Sequence, residues 1–187
     1  MPPLQVDVCV QDCYSYTEAP ESAAIAPPLA GEDPATLDSI GVTAEQWEIW
    51  FQQWLEQLQP DLSPIAAYEL SLRLTRDREI HDLNAQYRQQ DKPTDVLAFA
   101  ALEVDCPASD EWQDQPLYLG DIVISVDTAQ RQAIAQGHDL PTELAWLASH
   151  GLLHLLGWDH PDDESLQAML TQQKALLHTV GVSVADS

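Results

Sequence analysis

Positive charge is almost absent from this chain. Only 7 Lys and Arg stand against 31 Asp and Glu, for a formal net charge of −24, and no basic residue precedes Arg73. A uniformly basic surface for nucleic acid or membrane is therefore excluded. Any anion-binding face must be local. Arg73, Arg76, Arg78, Arg88 and Lys92 cluster in one stretch, and a screening length of about 8 Å lets such a stretch act despite acidic surface elsewhere. Cysteine is scarce as well. The 3 present, Cys9, Cys13 and Cys106, are an odd number and exclude a disulfide framework. Cys9 and Cys13 offer at most half a metal site and read as reduced, partly buried residues. No apolar run approaches the roughly 20 residues that span a bilayer. The start, Met1 to Asp7, lacks the basic and apolar regions of a signal peptide. The expectation is a soluble, cytoplasmic protein with no membrane partner, 187 residues forming a single domain with a real core.

What the chain does have is histidine in a telling place. Three of its 6 histidines fall in Ser149-His150-Gly151-Leu152-Leu153-His154-Leu155-Leu156-Gly157-Trp158-Asp159-His160. On a helix, His150 and His154 project from the same face one turn apart. Gly157 can end that helix in a left-handed residue and turn the chain back, bringing His160 alongside. From Leu144 to Trp158 the segment is apolar on nearly every side, so it reads as a buried helix. Core histidines without partners would leave nitrogens unsatisfied, at roughly 1–3 kcal/mol each. A shared metal removes that penalty. Three imidazoles and a fourth position for water describe one catalytic zinc ion held by His150, His154 and His160. The spacing also follows the long zinc-protease signature, except that Gly151 stands where that signature has its general-base glutamate. The pattern supports a metal and argues against peptide hydrolysis.

The block from His150 to His160 resembles the signature of the YbeY family, the metal-dependent endoribonucleases of bacterial rRNA maturation. Two further blocks agree: Leu83 to Arg88 continuing through Asp91-Lys92-Pro93-Thr94-Asp95-Val96-Leu97, and Gly120-Asp121-Ile122-Val123-Ile124-Ser125. The resemblance covers roughly residues 66–178. It implies a zinc-dependent, single-strand-specific endoribonuclease acting on the 3′ end of precursor 16S rRNA and in ribosome quality control. The implied partners are single-stranded RNA, the small ribosomal subunit and an assembly GTPase. It also gives Arg88 an important role, so Arg88 and His150 are the catalytic candidates. The chain departs from the family at Ala98-Phe99-Ala100, where Ser-Phe-Pro is usual.

Periodicity fills in the rest. Leu4 to Val10 alternates as a strand, Tyr68 to Leu74 as a second, Val96 to Ala100 is a third and Tyr118 to Ser125 a fourth. Residues 17–42, with Pro20, Pro27, Pro28 and Pro34 among acids and alanines, read as an acidic Pro-rich insertion. Thr43 caps a helix whose stripe Trp47, Trp50, Phe51, Trp54, Leu55 and Leu58 has core spacing rather than that of a base-stacking surface. Asp77 reads as the N-cap of a short helix to Tyr87, and Asp127 to Gln136 as a helix ended by Gly137. Pro141 sits in the first turn of the histidine helix, and Asp162, Asp163 and Glu164 open the last one. The expected fold is α+β, a mixed sheet of about four strands packed with about five helices, the metal site on a buried helix and its exit loop. Ser149 and Asp159 are candidates for orienting the ligands. Thr94 and Asp95 either line the cleft or make the turn into the third strand. His81, His138 and His178 read as solvated. Two alternatives stand beside the nuclease: a non-catalytic ribosome-assembly factor with a structural zinc, and a metallohydrolase of other substrates.

Overall fold

The computed structural model describes residues 3–14, 40–103 and 114–184. Four strands and five helices follow in the order β1 (Gln5–Asp12), α1 (Ala44–Leu58), β2 (Ala67–Thr75), α2 (Asp77–Arg88), β3 (Val96–Ala100), β4 (Leu117–Ser125), α3 (Val126–Gln136), α4 (Leu140–Leu155) and α5 (Asp163–Thr179). The sheet order is β1-β2-β4-β3. β1, β2 and β4 run parallel, and β3 lies antiparallel to β4 at one edge. The fold is the α+β arrangement with a mixed sheet that the sequence pattern implies.

One face of the sheet carries the large core. Tyr68, Leu70, Leu72 and Leu74 alternate inward along β2 and meet the aromatic stripe of α1 and the apolar faces of α4 and α5. Trp47, Phe51 and Trp54 are fully buried, and the Trp54 indole donates to the Leu176 carbonyl at 3.0 Å. At roughly 1.5–3 kcal/mol for each fully buried large apolar side chain, this stripe is core and not a ligand surface. The opposite face carries a smaller cluster of Ile80, Leu97 and Val123, covered by α2.

A bulge in β4 keeps the strand in phase with this core. Glu69 faces Tyr118 and Leu70 faces Gly120, so Leu119 is an extra residue. The insertion lets Leu119 and Ile122 both point into the large core despite their odd spacing. Gly120 sits there at φ 133°, and a Cβ would lie 2.1 Å from the Phe99 carbonyl oxygen, so the position requires glycine.

Several local readings change. Asp77 does not cap α2: Arg76 is the N-cap, without a side-chain bond, and the Asp77 carboxylate is drawn away to α3. His138 is half-buried and bonded to Glu143 at 2.5 Å, not solvated, because the start of α4 folds over it. His81 meets Asp91 at 2.8 Å. Most of the acidic insertion, and Cys106, lie outside the described residues, but its last residues pack: Ile40 and Val42 are buried. Cys9 is exposed on β1 and Cys13 is half-exposed, both as free thiols. Among the described residues, no helix is long and apolar enough to cross a membrane.

Candidate metal centre

Helix α4 begins with Asp139 accepting from the Thr142 amide at 2.9 Å and with Pro141 in its first turn. Its apolar character buries it between the sheet and the neighbouring helices. At Gly151 the helix backbone comes close to the sheet: an added Cβ would lie 2.8 Å from Ile122 Cγ2 on β4. The residue that replaces the protease glutamate thus sits where packing is tight: a side chain there forces Ile122 or the helix to shift.

The helix ends in a Schellman turn. The Gly157 amide donates to the His154 carbonyl and the Trp158 amide to the Leu153 carbonyl, each at 3.0 Å, with Gly157 at φ 89°. This reversal carries Asp159 and His160 back along the helix. Ring centroids of His150, His154 and His160 lie 4.6 to 5.5 Å apart. One nitrogen from each ring falls within 4.8 Å of the others. His150 and His154 are half-buried and His160 is exposed, so the cluster opens to solvent on one side.

The donor set is prepared for a cation. Gln173 on α5 is fully buried and donates its amide to the Trp146 carbonyl at 3.2 Å, which turns its Oε1 toward His150 Nδ1 at 3.1 Å. A carbonyl oxygen only accepts, so the His150 proton sits on Nδ1 and its Nε2 lone pair is free. That Nε2 faces the Nε2 of His154 at 3.0 Å. Burial, together with the nearby His160, holds the His150 pKa below its ordinary value. Burial first, then His150, His160 and Arg88, depresses His154 to about 4. Both are neutral at pH 7, the state that ligates. The residues fit a metal.

The cluster lines a cavity of about 190 Å³ with Arg88, Asp95, Val96, Ala98, Gly151 and Asp159. Arg88 reaches round the free edge of β3 and donates to the Ala98 carbonyl at 3.4 Å. Its position rests on Asn84, nearly buried in α2, which receives the Gln89 and Gln90 amides on its backbone and donates to the Lys92 carbonyl at 2.8 Å. Asp95 both lines the cleft and makes the turn: its carboxylate accepts from the Val96 amide at 2.8 Å and from Gln132 at 3.0 Å. Thr94 bonds Asp95 at 3.3 Å. Asp159 accepts from the His160 amide at 2.8 Å, and Ser149 is turned away, donating to the Trp146 carbonyl at 2.8 Å. Two other arginines of the basic stretch are engaged within the protein. Arg73 is paired with Glu79 at 2.5 Å, and Arg76 lies 4.5 Å over the Tyr14 ring. Among the described residues, Cys9 and Cys13 join no group of three potential ligands.

Gln173 and Asn84 are the positions that sequence reasoning missed. Gln173 lies 23 residues beyond His150 on another helix, and only its polar character on the buried side of α5 marks it.

A three-histidine cluster beside an arginine, in a cleft at the edge of an α+β sheet, defines a metallohydrolase-like centre. Comparison with known proteins narrows this. The family model Endoribonuclease YbeY matches residues 35–181. Curated proteins named Endoribonuclease YbeY from Trichormus variabilis and Nostoc sp. are each 56% identical over 97% of this chain, covering 97% and 93% of their own lengths. That from Trichodesmium erythraeum is 64% identical over 73% of this chain and 75% of its own. The solution structure of a protein from Thermotoga maritima shares the fold, with a TM-score of 0.50 at 22% identity, covering 94% of this chain and 89% of its own. The chain belongs to the YbeY family, whose members are endoribonucleases, hydrolases acting on RNA phosphodiester bonds.

Proposed function

We propose that this chain is a zinc-dependent endoribonuclease that cuts single-stranded RNA, acting in maturation of the 3′ end of 16S rRNA and in ribosome quality control. The observation that carries the proposal is the meeting of His150, His154 and His160, nitrogens within 4.8 Å of one another, in the same small cleft as Arg88. The chain works as one catalytic domain, with residues 17–42 as an acidic insertion. Family membership supports precursor 16S rRNA as substrate, with the small subunit and an assembly GTPase as partners.

When bound, zinc would supply Lewis acidity to a phosphoryl oxygen or to an attacking water. His150, His154 and His160 hold it, and Gln173 keeps His150 in the ligating tautomer. Arg88 grips the non-bridging phosphate oxygens and offsets the charge that builds on them during attack. A guanidinium is suited to this because it is planar and stays charged. Asp95, anchored at both oxygens, places a fixed negative charge on the cleft wall that favours a cation at the histidines.

A structural zinc in a non-catalytic assembly factor fits less well. Structural sites are closed by four protein ligands, whereas this cluster has three histidines, one of them exposed, and opens on a cleft. The test is cleavage of labelled RNA bearing the precursor 16S 3′ end by wild type, His154→Ala and Arg88→Ala, with and without chelator. Cutting by wild type alone, lost with chelator and restored by zinc, is the expected result. Equal cutting by all three would identify a contaminant, and binding without cutting would favour the assembly factor.

A further inference from the structure

Three aromatic side chains among the described residues are exposed: Tyr87 at 60%, Tyr118 at 39% and Trp158 at 37%. Tyr118 is tied to Asp121 by its hydroxyl at 2.8 Å. Tyr87 is the most open, and it directly precedes Arg88 in the last turn of α2. Its ring stands edge-to-face against Phe99, with centroids 5.3 Å apart and planes at 69°. Phe99 belongs to β3, next to Ala98, the residue whose carbonyl receives Arg88 and which lines the cleft. The Tyr87 ring is thus braced from one side on the α2 face of β3 and presented to solvent, one residue before the arginine whose guanidinium bonds the Ala98 carbonyl and lines the cleft.

We propose that Tyr87 is a stacking platform for a nucleobase flanking the scissile phosphate, and that this contact contributes to selection of single strands. The proposal rests on the nuclease reading of the cleft. Tyr87 adjoins Arg88 in the chain, so a strand whose phosphate is held by Arg88 has this exposed ring within reach of a neighbouring base as it crosses the edge of β3. Aromatic faces stack on any base, and a braced ring loses little freedom in doing so. In a duplex the same base is already stacked and paired, so its face is not offered. The stacking needs no positive charge, which suits a chain of net charge −24 whose Arg73 and Arg76 are engaged internally. Phe99 also accounts for one retained feature of the departing Ala98-Phe99-Ala100 segment: it is the brace.

The test uses the full-length protein loaded with zinc and a short single-stranded RNA that wild type cuts at one bond. A series of the same RNA carries an abasic residue at each position in turn. One flanking abasic position should raise KM for wild type by about 10-fold or more, with a smaller change in kcat. Tyr87→Ala should show the same rise on intact RNA and be indifferent to that abasic residue. Tyr87→Phe and Tyr87→Trp should keep the wild-type KM. Equal zinc content and an unchanged melting curve for Tyr87→Ala confirm that the comparison is between folded proteins. Unchanged KM in Tyr87→Ala, or losses from variant and abasic residue that simply multiply, overturns the platform while the nuclease stands; the exposed ring would then belong to a protein contact. A wild type that neither binds nor cuts any single-stranded RNA overturns the nuclease reading and the platform together.

Discussion

Two polar clusters in this molecule are built alike and end differently. In the first, the Asp77 carboxylate accepts from Ser125 and Thr128 hydroxyls at 2.6 Å each and from Arg131 at 2.7 Å, tying the start of α2 to the start of α3. Every strong group there has a partner within the protein, and the charge of Asp77 is met by Arg131. In the second, the Nε2 atoms of His150 and His154 lie 3.0 Å apart, with His160 beside them and a cavity in front. Both gather residues from distant parts of the chain. The first closes on itself and is scaffold. The second gathers three nitrogens that could hold a metal ion, in front of an open cavity, and that openness separates a candidate site from a joint.

The contrast can be broken most severely at the histidines. His154→Ala should abolish zinc binding and cleavage while the metal-free protein melts near the wild-type temperature, read by metal analysis, RNA cleavage and circular dichroism. A large fall in stability without metal would place His154 with the scaffold instead. Next comes Arg88→Ala, expected to lower kcat by roughly 10²–10³-fold with zinc affinity unchanged, since it stabilises charge rather than metal. Gln173→Leu should weaken zinc binding by roughly 10–100-fold, because the His150 tautomer is no longer held. A competition titration with a chromophoric chelator would show it. Gly151→Ala should destabilise the fold by about 1–3 kcal/mol in urea melts, through the collision with Ile122.

The smallest effect sharpens the comparison from the scaffold side. Burial raises the Asp77 pKa, but hydrogen bonds from Ser125, Thr128 and Arg131 outweigh it and hold the pKa below the ordinary 3.8. A depressed folded pKa means that ionised Asp77 stabilises the protein above the unfolded value and stops doing so as pH falls through the folded one. The stability gap between wild type and Asp77→Asn should therefore be full at pH 7 and close below about 3.8. Cleavage per folded molecule should be the same for both. A gap independent of pH would show that the carboxylate's charge is irrelevant to the joint.

Local pattern carried much of this molecule. The helix-spaced aromatics of α1, the Thr43 cap, the glycine end of α3 and the capping residues of α5 are all short-range features, and each is found where its spacing puts it. The Asp77 cap failed because two hydroxyls and a guanidinium some fifty residues away compete for the same carboxylate. His138 failed likewise: its neighbours in sequence are polar, but the buried Glu143 folds back onto it. In the site, the two histidines on α4 and the turn at Gly157 were legible from spacing, and Arg88 came from resemblance.

By itself, then, the sequence determined the elements, their caps and the convergence of three histidines, because a turn of helix and a glycine reversal act over ten residues or fewer. Only the tertiary structure decided that Gln173 sets the His150 tautomer, that Gly151 is the contact of α4 with Ile122, and that Arg88 enters the cleft round the edge of β3. Those contacts join residues far apart in the chain, and they exist only once the sheet and its helices have packed together.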